Sequence, residues 1–125
     1  MAASPWNARD LSLLANVLMA RGRYAEAGDL IVRALGVSPA LPRGHELLGR
    51  IELALGHPRE ALAAFERERA LNGETPAVAF HLGQAWQGLG DLKRARAAYR
   101  RAIDLDPGHR AALDSLAAIS ARSGG

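Results

Sequence analysis

The stretch "LGQAWQGLGD", residues 82–91, reads helical at Leu82, Ala85, Trp86 and Leu89, which recur at spacings of three and four. Yet Gly83, Gly88 and Gly90 sit among them. A glycine inside a helix costs roughly 1 kcal/mol relative to alanine. The reason for them emerges when the chain is compared with itself. "LANVLMARGR" (14–23), "LGRIELALGH" (48–57) and "LGQAWQGLGD" are spaced 34 residues apart. Leu14, Leu48 and Leu82 fall in register, as do Ala15, Gly49 and Gly83, then Gly22, Gly56 and Gly90. The register continues through Ala27, Ala61 and Ala95, through Ile31, Phe65 and Tyr99, and through Val37, Leu71 and Leu105. Pro39 and Pro107 close the first and third units, and Gly73 stands between them. A gapless period of this size is the signature of a solenoid built from repeated units.

The periodicity gives the glycines their roles. Gly22, Gly56 and Gly90 each follow an apolar helical run and suit the left-handed position that ends a helix. Gly49 and Gly83 are small, like Ala15, so that a second helix can approach, with Ala27, Ala61 and Ala95 as its matching small residues. Gly88 receives no role and is tolerated near a helix end. Asp91 can cap "LKRARAAYRRAIDL", Pro58 sits at a first helical position, and Thr75-Pro76 opens a helix in the same way. The spacing predicts helices near 8–21, 24–37, 42–55, 58–71, 76–89, 92–105 and 109–122. No segment alternates with period two, so no strand is expected.

These residues resemble the tetratricopeptide repeat family. The third unit, "LGQAWQGLGDLKRARAAYRRAIDLDP", follows the family pattern almost throughout. The first fits through Tyr24, Ala27, Ala34 and Pro39. The second departs where Glu68 replaces the alanine seen at Ala34 and Ala102, and where Gly73 replaces the closing proline. The resemblance implies one all-α domain over 1–125. It would be a right-handed superhelical solenoid of three helix pairs, about 8–41, 42–75 and 76–109, plus a capping helix at about 110–122. The first helix of each pair would line a concave groove. On the last helix Ala112, Leu113, Leu116, Ala117 and Ile119 form an apolar arc, with Asp114, Ser115, Ala118 and Arg122 opposite. That arrangement suits the end of an array.

Composition narrows the function. With 49% hydrophobic and 23% charged residues the chain reads as globular rather than disordered. The absence of cysteine excludes disulfides, thiol catalysis and cysteine zinc sites. Aromatics at 5% argue against a base-stacking surface. The net charge of +3 mildly favours acidic partners. Apolar runs such as "LLANVLMA" (13–20) are too short to span a bilayer. "MAASPWNARD" lacks the layout of a secretory signal. The expected compartment is the cytoplasm, with the periplasm left open.

Catalysis finds no support in the motifs. His45, His57, His81 and His109 are spaced to fall on different helices and turns, and no HExxH, phosphate loop or nucleophile elbow is present. No catalytic residue, cofactor or metal is expected. In "KRARAAYRR" (93–101), Lys93, Arg94, Arg96, Arg100 and Arg101 share one helix face, opposite Ala95, Ala98, Tyr99 and Ala102. This reads as a solvated outer face, with Arg100 free to pair with Asp104. A basic patch for nucleic acid or anionic lipid is the sharper alternative.

The groove is the expected site. Its free faces carry Arg9, Asn16 and Met19 on the first helix, and Arg43, Glu46, Arg50 and Leu53 on the third. Phe80, Gln84 and Gln87 come from the fifth. The polar residues can bond a peptide backbone or acidic groups, while Met19, Leu53 and Phe80 can take apolar side chains. Glu46 is expected to pair with Arg50, leaving Arg9 and Arg43 freer. Chaperone-tail receptors of this family hold a C-terminal carboxylate with a lysine, asparagine and arginine clamp. The matching positions here are Ser12, Asn16, Leu47, Ala77 and His81, and only Asn16 agrees, which argues against that subtype. The main reading is therefore a non-enzymatic interaction module for a peptide or partner helix. The alternatives are self-assembly through the solenoid ends and a regulatory domain of a larger enzyme. Self-assembly is motivated by the wide apolar arc of Leu11, Leu13, Leu14, Val17, Leu18 and Met19, unless Trp6 folds back to cover it.

Overall fold

The computed structural model describes residues 7–122. They form seven helices: α1 (Ala8–Ala20), α2 (Tyr24–Val37), α3 (Gly44–Ala54), α4 (Pro58–Asn72), α5 (Pro76–Gly88), α6 (Leu92–Leu105) and α7 (Arg110–Arg122). No strand occurs among the described residues. Each helix packs on the next, most extensively within the pairs α1–α2, α3–α4 and α5–α6. The first helices also meet one another, α1 with α3 and α3 with α5, so they stand side by side along one face. This is an all-α repeat solenoid.

Local chemistry fixes the helix ends. Asn7 Oδ1 accepts from Asp10 N at 2.8 Å, Thr75 Oγ1 from Val78 N at 3.1 Å, and Asp91 Oδ1 from Arg94 N at 3.0 Å. These side chains satisfy amides that the first helical turn leaves without partners. Pro58 and Pro76 occupy first-turn positions, where a missing N–H costs nothing. The first helices of all three pairs end alike. Gly22, Gly56 and Gly90 have φ of 76°, 81° and 82°. The following amides reach back to Leu18, Glu52 and Trp86 carbonyls at 2.9, 2.8 and 3.0 Å, which is the Schellman closure.

The core shows what the small residues are for. Ile31, Phe65 and Tyr99 are the bulky buried residues of the second helices. A Cβ on Gly49 would lie 2.4 Å from Phe65 Cε1, and one on Gly83 would lie 2.4 Å from Tyr99 Cε1. In both pairs the aromatic ring lies directly on the backbone of the partner helix. The first pair has Ala15 opposite the smaller Ile31, and both are fully buried. Gly88 also has a place: a Cβ there would lie 2.9 Å from Pro58 Cβ, so it lets the end of α5 settle on the start of α4.

One boundary and one face differ from the sequence reading, and the wide apolar arc of α1 stands partly uncovered as expected. Helix α3 begins at Gly44 rather than near 42, because Pro42 and a left-handed Arg43 (φ 65°) hold the chain in a turn. On α7, Ala112 and Ile119 are buried while Leu113 and Ala117 are exposed; Leu116 and Ser115 fill the space between, and Ser115 bonds the Tyr99 hydroxyl. On α1, Leu11 and Ala15 face the core while Leu13 and Val17 are 57% and 47% exposed. Trp6, considered as a cover for that face, lies outside the described residues.

The ring-on-glycine contact has a sign that distinguishes it from helix propensity. Propensity favours Gly83→Ala by about 1 kcal/mol. Against the Tyr99 ring the same change should destabilise, with overpacking costing about 1–3 kcal/mol. Combining it with Tyr99→Ile, which installs the Ala15–Ile31 arrangement, should recover part of the loss. Chemical denaturation of the two single variants and the double variant checks this. Strictly additive losses would contradict the contact.

Candidate functional site

The departure at Glu68 shapes the groove. Glu68 comes from α4 and is 2% exposed. Its Oε2 accepts from Arg43 N at 2.9 Å, and its Oε1 from His45 N at 3.0 Å and Glu46 N at 3.1 Å. Asn72 Nδ2 donates to Oε2 at 2.8 Å. Helix α3 has no side-chain cap of its own, and this buried carboxylate caps it from the neighbouring helix. The left-handed Arg43 turns successive amides toward one point, an anion-holding geometry. A non-glycine residue in that conformation costs about 1 kcal/mol or more. Charged hydrogen bonds at a helix N-terminus offset it.

Two recesses lie along the first helices. The larger, of 660 Å³, sits where α3, α5 and α7 begin and is lined by Pro42, Arg43, Glu46, Glu68, Ala77, Val78 and His109, among others. The smaller, of 180 Å³, lies between α1 and α3 and is lined by Ser12, Asn16, Pro42, Arg43, Glu46, Leu47 and Arg50. Arg43 and Glu46 belong to both and join them into one track.

The structure sorts the residues expected from sequence. Asn16, Arg43, Glu46 and Arg50 come together. Arg9 is exposed three positions before Ser12, on the same stripe of α1. Met19 and Leu53 are packed against the core instead of standing free. Phe80 turns toward α6 and α7, with its ring 5.7 Å from Tyr99 and 5.2 Å from His109 between centroids. Gln87 Oε1 accepts from the Tyr99 hydroxyl at 2.7 Å, and Gln84 Oε1 lies 2.8 Å from His81 Nδ1. Glu46 is 5% exposed and does not pair with Arg50. It reaches Arg43 Nε at 3.4 Å and His81 Nε2 at 3.8 Å, leaving Arg50 without an ion-pair partner among the described residues. The freer cation is thus Arg50 rather than Arg43.

His81 is the residue that sequence reasoning passed over. It stacks on Phe65 at 5.2 Å and 14° and stands beside Phe80. Burial pushes its pKa below the usual 6.5, aided by Arg50 and His109, against the opposing pull of the Gln84 hydrogen bond and Glu46. With the Gln84 oxygen accepting from Nδ1, the neutral ring keeps its lone pair at Nε2, facing the Glu46 carboxylate. The two groups lie 3.8 Å apart, and both side chains are largely buried. The place of His81 among the chaperone-tail clamp positions was the signal that could have found it.

Elsewhere the outer face of α6 is partly neutralised. Arg94 pairs with Asp91 at 3.2 Å and lies 4.9 Å from the Trp86 ring centre, and Arg101 pairs with Glu74 at 3.1 Å. Arg100 does not reach Asp104. The histidines are not all apart from carboxylates either: Glu52, His57 and Glu60 gather at the α3–α4 turn. Among the described residues no helix is long and apolar enough to cross a membrane.

Two tetratricopeptide repeat family models match, one over residues 46–110 and one over 11–43. The chain belongs to the tetratricopeptide repeat family. Among characterised proteins, it is 41% identical over 97 residues to the probable biofilm formation methyltransferase WspC of Pseudomonas aeruginosa, covering 77% of this chain and 23% of that one. It is 29% identical over 105 residues to the probable N-acetylglucosaminyltransferase SPINDLY of Hordeum vulgare, covering 84% and 11%. The chain therefore spans less than a quarter of these relatives. The first tetratricopeptide domain of Spaghetti (RPAP3), solved bound to the HSP90 peptide SRMEEVD, superposes with a TM-score of 0.89 at 24% identity, covering 95% of this chain and 94% of that one.

Two outcomes test the site's architecture. Glu68→Ala restores the alanine of the other repeats, yet it strands three backbone N–H groups and should destabilise by about 2 kcal/mol or more. Denaturant titration reads it; a neutral result would show that the cap is dispensable. His81 is held neutral in the fold and titrates near 6.5 when unfolded, so the unfolded chain takes up more protons between the lowered value and 6.5. Its contribution is present above 6.5 and is lost as pH falls through the lowered value. The thermal midpoint of His81→Gln should accordingly fall less than that of the wild type between pH 7 and 5.

Proposed function

We propose that this chain is a non-enzymatic interaction module whose groove takes a short peptide or partner helix carrying acidic side chains. The observation that carries the reading is the continuous track over α1, α3 and the start of α5, with Arg50 unneutralised on one wall. Arg9 and Asn16 stand nearby to meet carboxylates or backbone carbonyls. Apolar contact comes from Pro42, Leu47 and Ala77 rather than from Phe80, whose ring is committed to α6 and α7. The likeness to a domain solved with a bound peptide is consistent with this use of the face.

A second reading concerns context. The 41% match to part of a methyltransferase supports a role as a regulatory module attached to an enzyme, in which the groove reads a partner of that enzyme. The exposed Leu13 and Val17 supply an end face that a further helix or a second copy would cover.

A fluorescence array of heptapeptides, graded in acidic side chains and including SRMEEVD with free and amidated C-termini, tests the groove. Affinity should follow the number of acidic side chains more than the terminal carboxylate. Arg50→Glu should weaken the best acidic peptide by roughly tenfold at low salt and less at high salt, because exposed charges are screened. Arg43→Glu should weaken it less, and Arg100→Glu on the outer face should not. Binding lost through Arg100 instead would move the site to α6.

A further inference from the structure

We propose that Glu52, His57 and Glu60 form a binding site for a first-row divalent metal ion of the zinc class, at the turn between α3 and α4. One nitrogen and two carboxylate oxygens from these residues lie within 4.8 Å of one another. Zinc takes such donors at about 2.0–2.2 Å, so an inward rotation of the exposed His57 and Glu60 side chains toward the half-buried Glu52 closes the site. Glu52 is two residues from Arg50, roughly 200° around the helix. The site therefore lies away from the peptide groove.

The backbone holds the donors before any ion arrives. Glu52 sits in the last turn of α3, and His57 and Glu60 open α4. The amide of His57 donates to the carbonyl of Glu52 at 2.8 Å, across the turn at Gly56. Two of the proposed ligands are thus tied together through their own main chain. The turn is the same Schellman closure used in the other pairs, so its geometry does not depend on the metal.

The repeats themselves provide the comparison. In the first unit the three equivalent positions are Leu18, Arg23 and Glu26, and Arg23 bonds Glu26 at 2.8 Å. In the third they are Trp86, Asp91 and Arg94, and Arg94 bonds Asp91 while lying over Trp86. Each of those turns has one acid, one permanent cation and one apolar neighbour. The second unit has two acids and an imidazole. Its only ion-pair contact among the described residues is His57 Nδ1 with Glu52 Oε2 at 3.6 Å. Two carboxylates this close favour a cation between them. The mixed nitrogen and oxygen set suits zinc, cobalt or nickel better than magnesium or calcium, which prefer oxygen alone. Glu52 and Glu60 also border a recess of 640 Å³ between α2 and α4, so positions left open on the ion adjoin that recess.

The experiment uses chelator-treated protein at pH 7.5. Zinc is titrated by calorimetry and cobalt by visible absorption, with magnesium and calcium as comparators. One zinc equivalent should bind saturably and raise the thermal midpoint, while magnesium and calcium at the same concentration should do neither. His57→Ala and Glu52→Gln should each weaken zinc by roughly tenfold or more, the scale set by losses of ligand support in known sites. His57→Arg, which installs the charge of the first unit, should keep the fold by circular dichroism and abolish the zinc response. His45→Ala and His109→Ala should leave it intact. The proposal is overturned if the wild type shows no saturable binding, as a simple His57–Glu52 ion pair requires, or if His57→Ala binds zinc as the wild type does.

Discussion

The contact between the Tyr99 ring and the backbone of Gly83, repeated between Phe65 and Gly49, sets the spacing of the helix pairs. A ring lying on bare backbone brings two helices closer than two side chains would allow, and it fills the space with one rigid group. Buried area of this kind dominates the stability of a small solenoid, whose units cannot hide their apolar faces alone. The other features depend on this spacing. The Schellman turns join helices whose separation is already fixed. The first helices stand side by side because their partners occupy the layer behind them. The groove is the surface that remains.

Much of this was legible in the chain because repetition turns single residues into columns. Gly22, Gly56 and Gly90 would each be ambiguous alone; at a constant offset after apolar runs they indicate a left-handed helix end. Asp91, Pro58 and Thr75 were equally readable, since caps act on amides a few residues away. What escaped were interactions that cross between helices. Gly88 looked like a tolerated blemish because its partner, Pro58, lies thirty residues earlier. Glu68 looked like a departure from the pattern because the amides it satisfies belong to the start of another helix. A column comparison shows that a residue differs, but not what it reaches.

The site followed the same division. Helical periodicity was sufficient to bring Asn16, Glu46 and Arg50 to one wall, whereas Arg43 joins them from the left-handed turn that precedes α3. The sequence assigned the wrong ion pair because an i, i+4 spacing suggested Arg50 for Glu46, whereas the turn at Arg43 and the ring of His81 were nearer. It offered Phe80 as a free anchor because position on a helix does not reveal that α6 and α7 claim the ring. Burial also changes chemistry at this wall: His81 is inert to protons over part of its ordinary range because aromatic neighbours exclude water from it.

The Gly88–Pro58 contact joins the end of one unit's first helix to the beginning of the preceding unit's second. The ring-on-glycine fits are internal to a unit, so they would travel with it if units were shuffled. This one would not. One unit earlier, the equivalent positions are Ala54 and Tyr24, a different pair of shapes. The junction between the second and third units is therefore keyed, and it records which unit comes before which. An array lengthened by inserting copies would have to carry the proline and the glycine on opposite sides of every new seam, so the order of the units is itself part of what the sequence encodes.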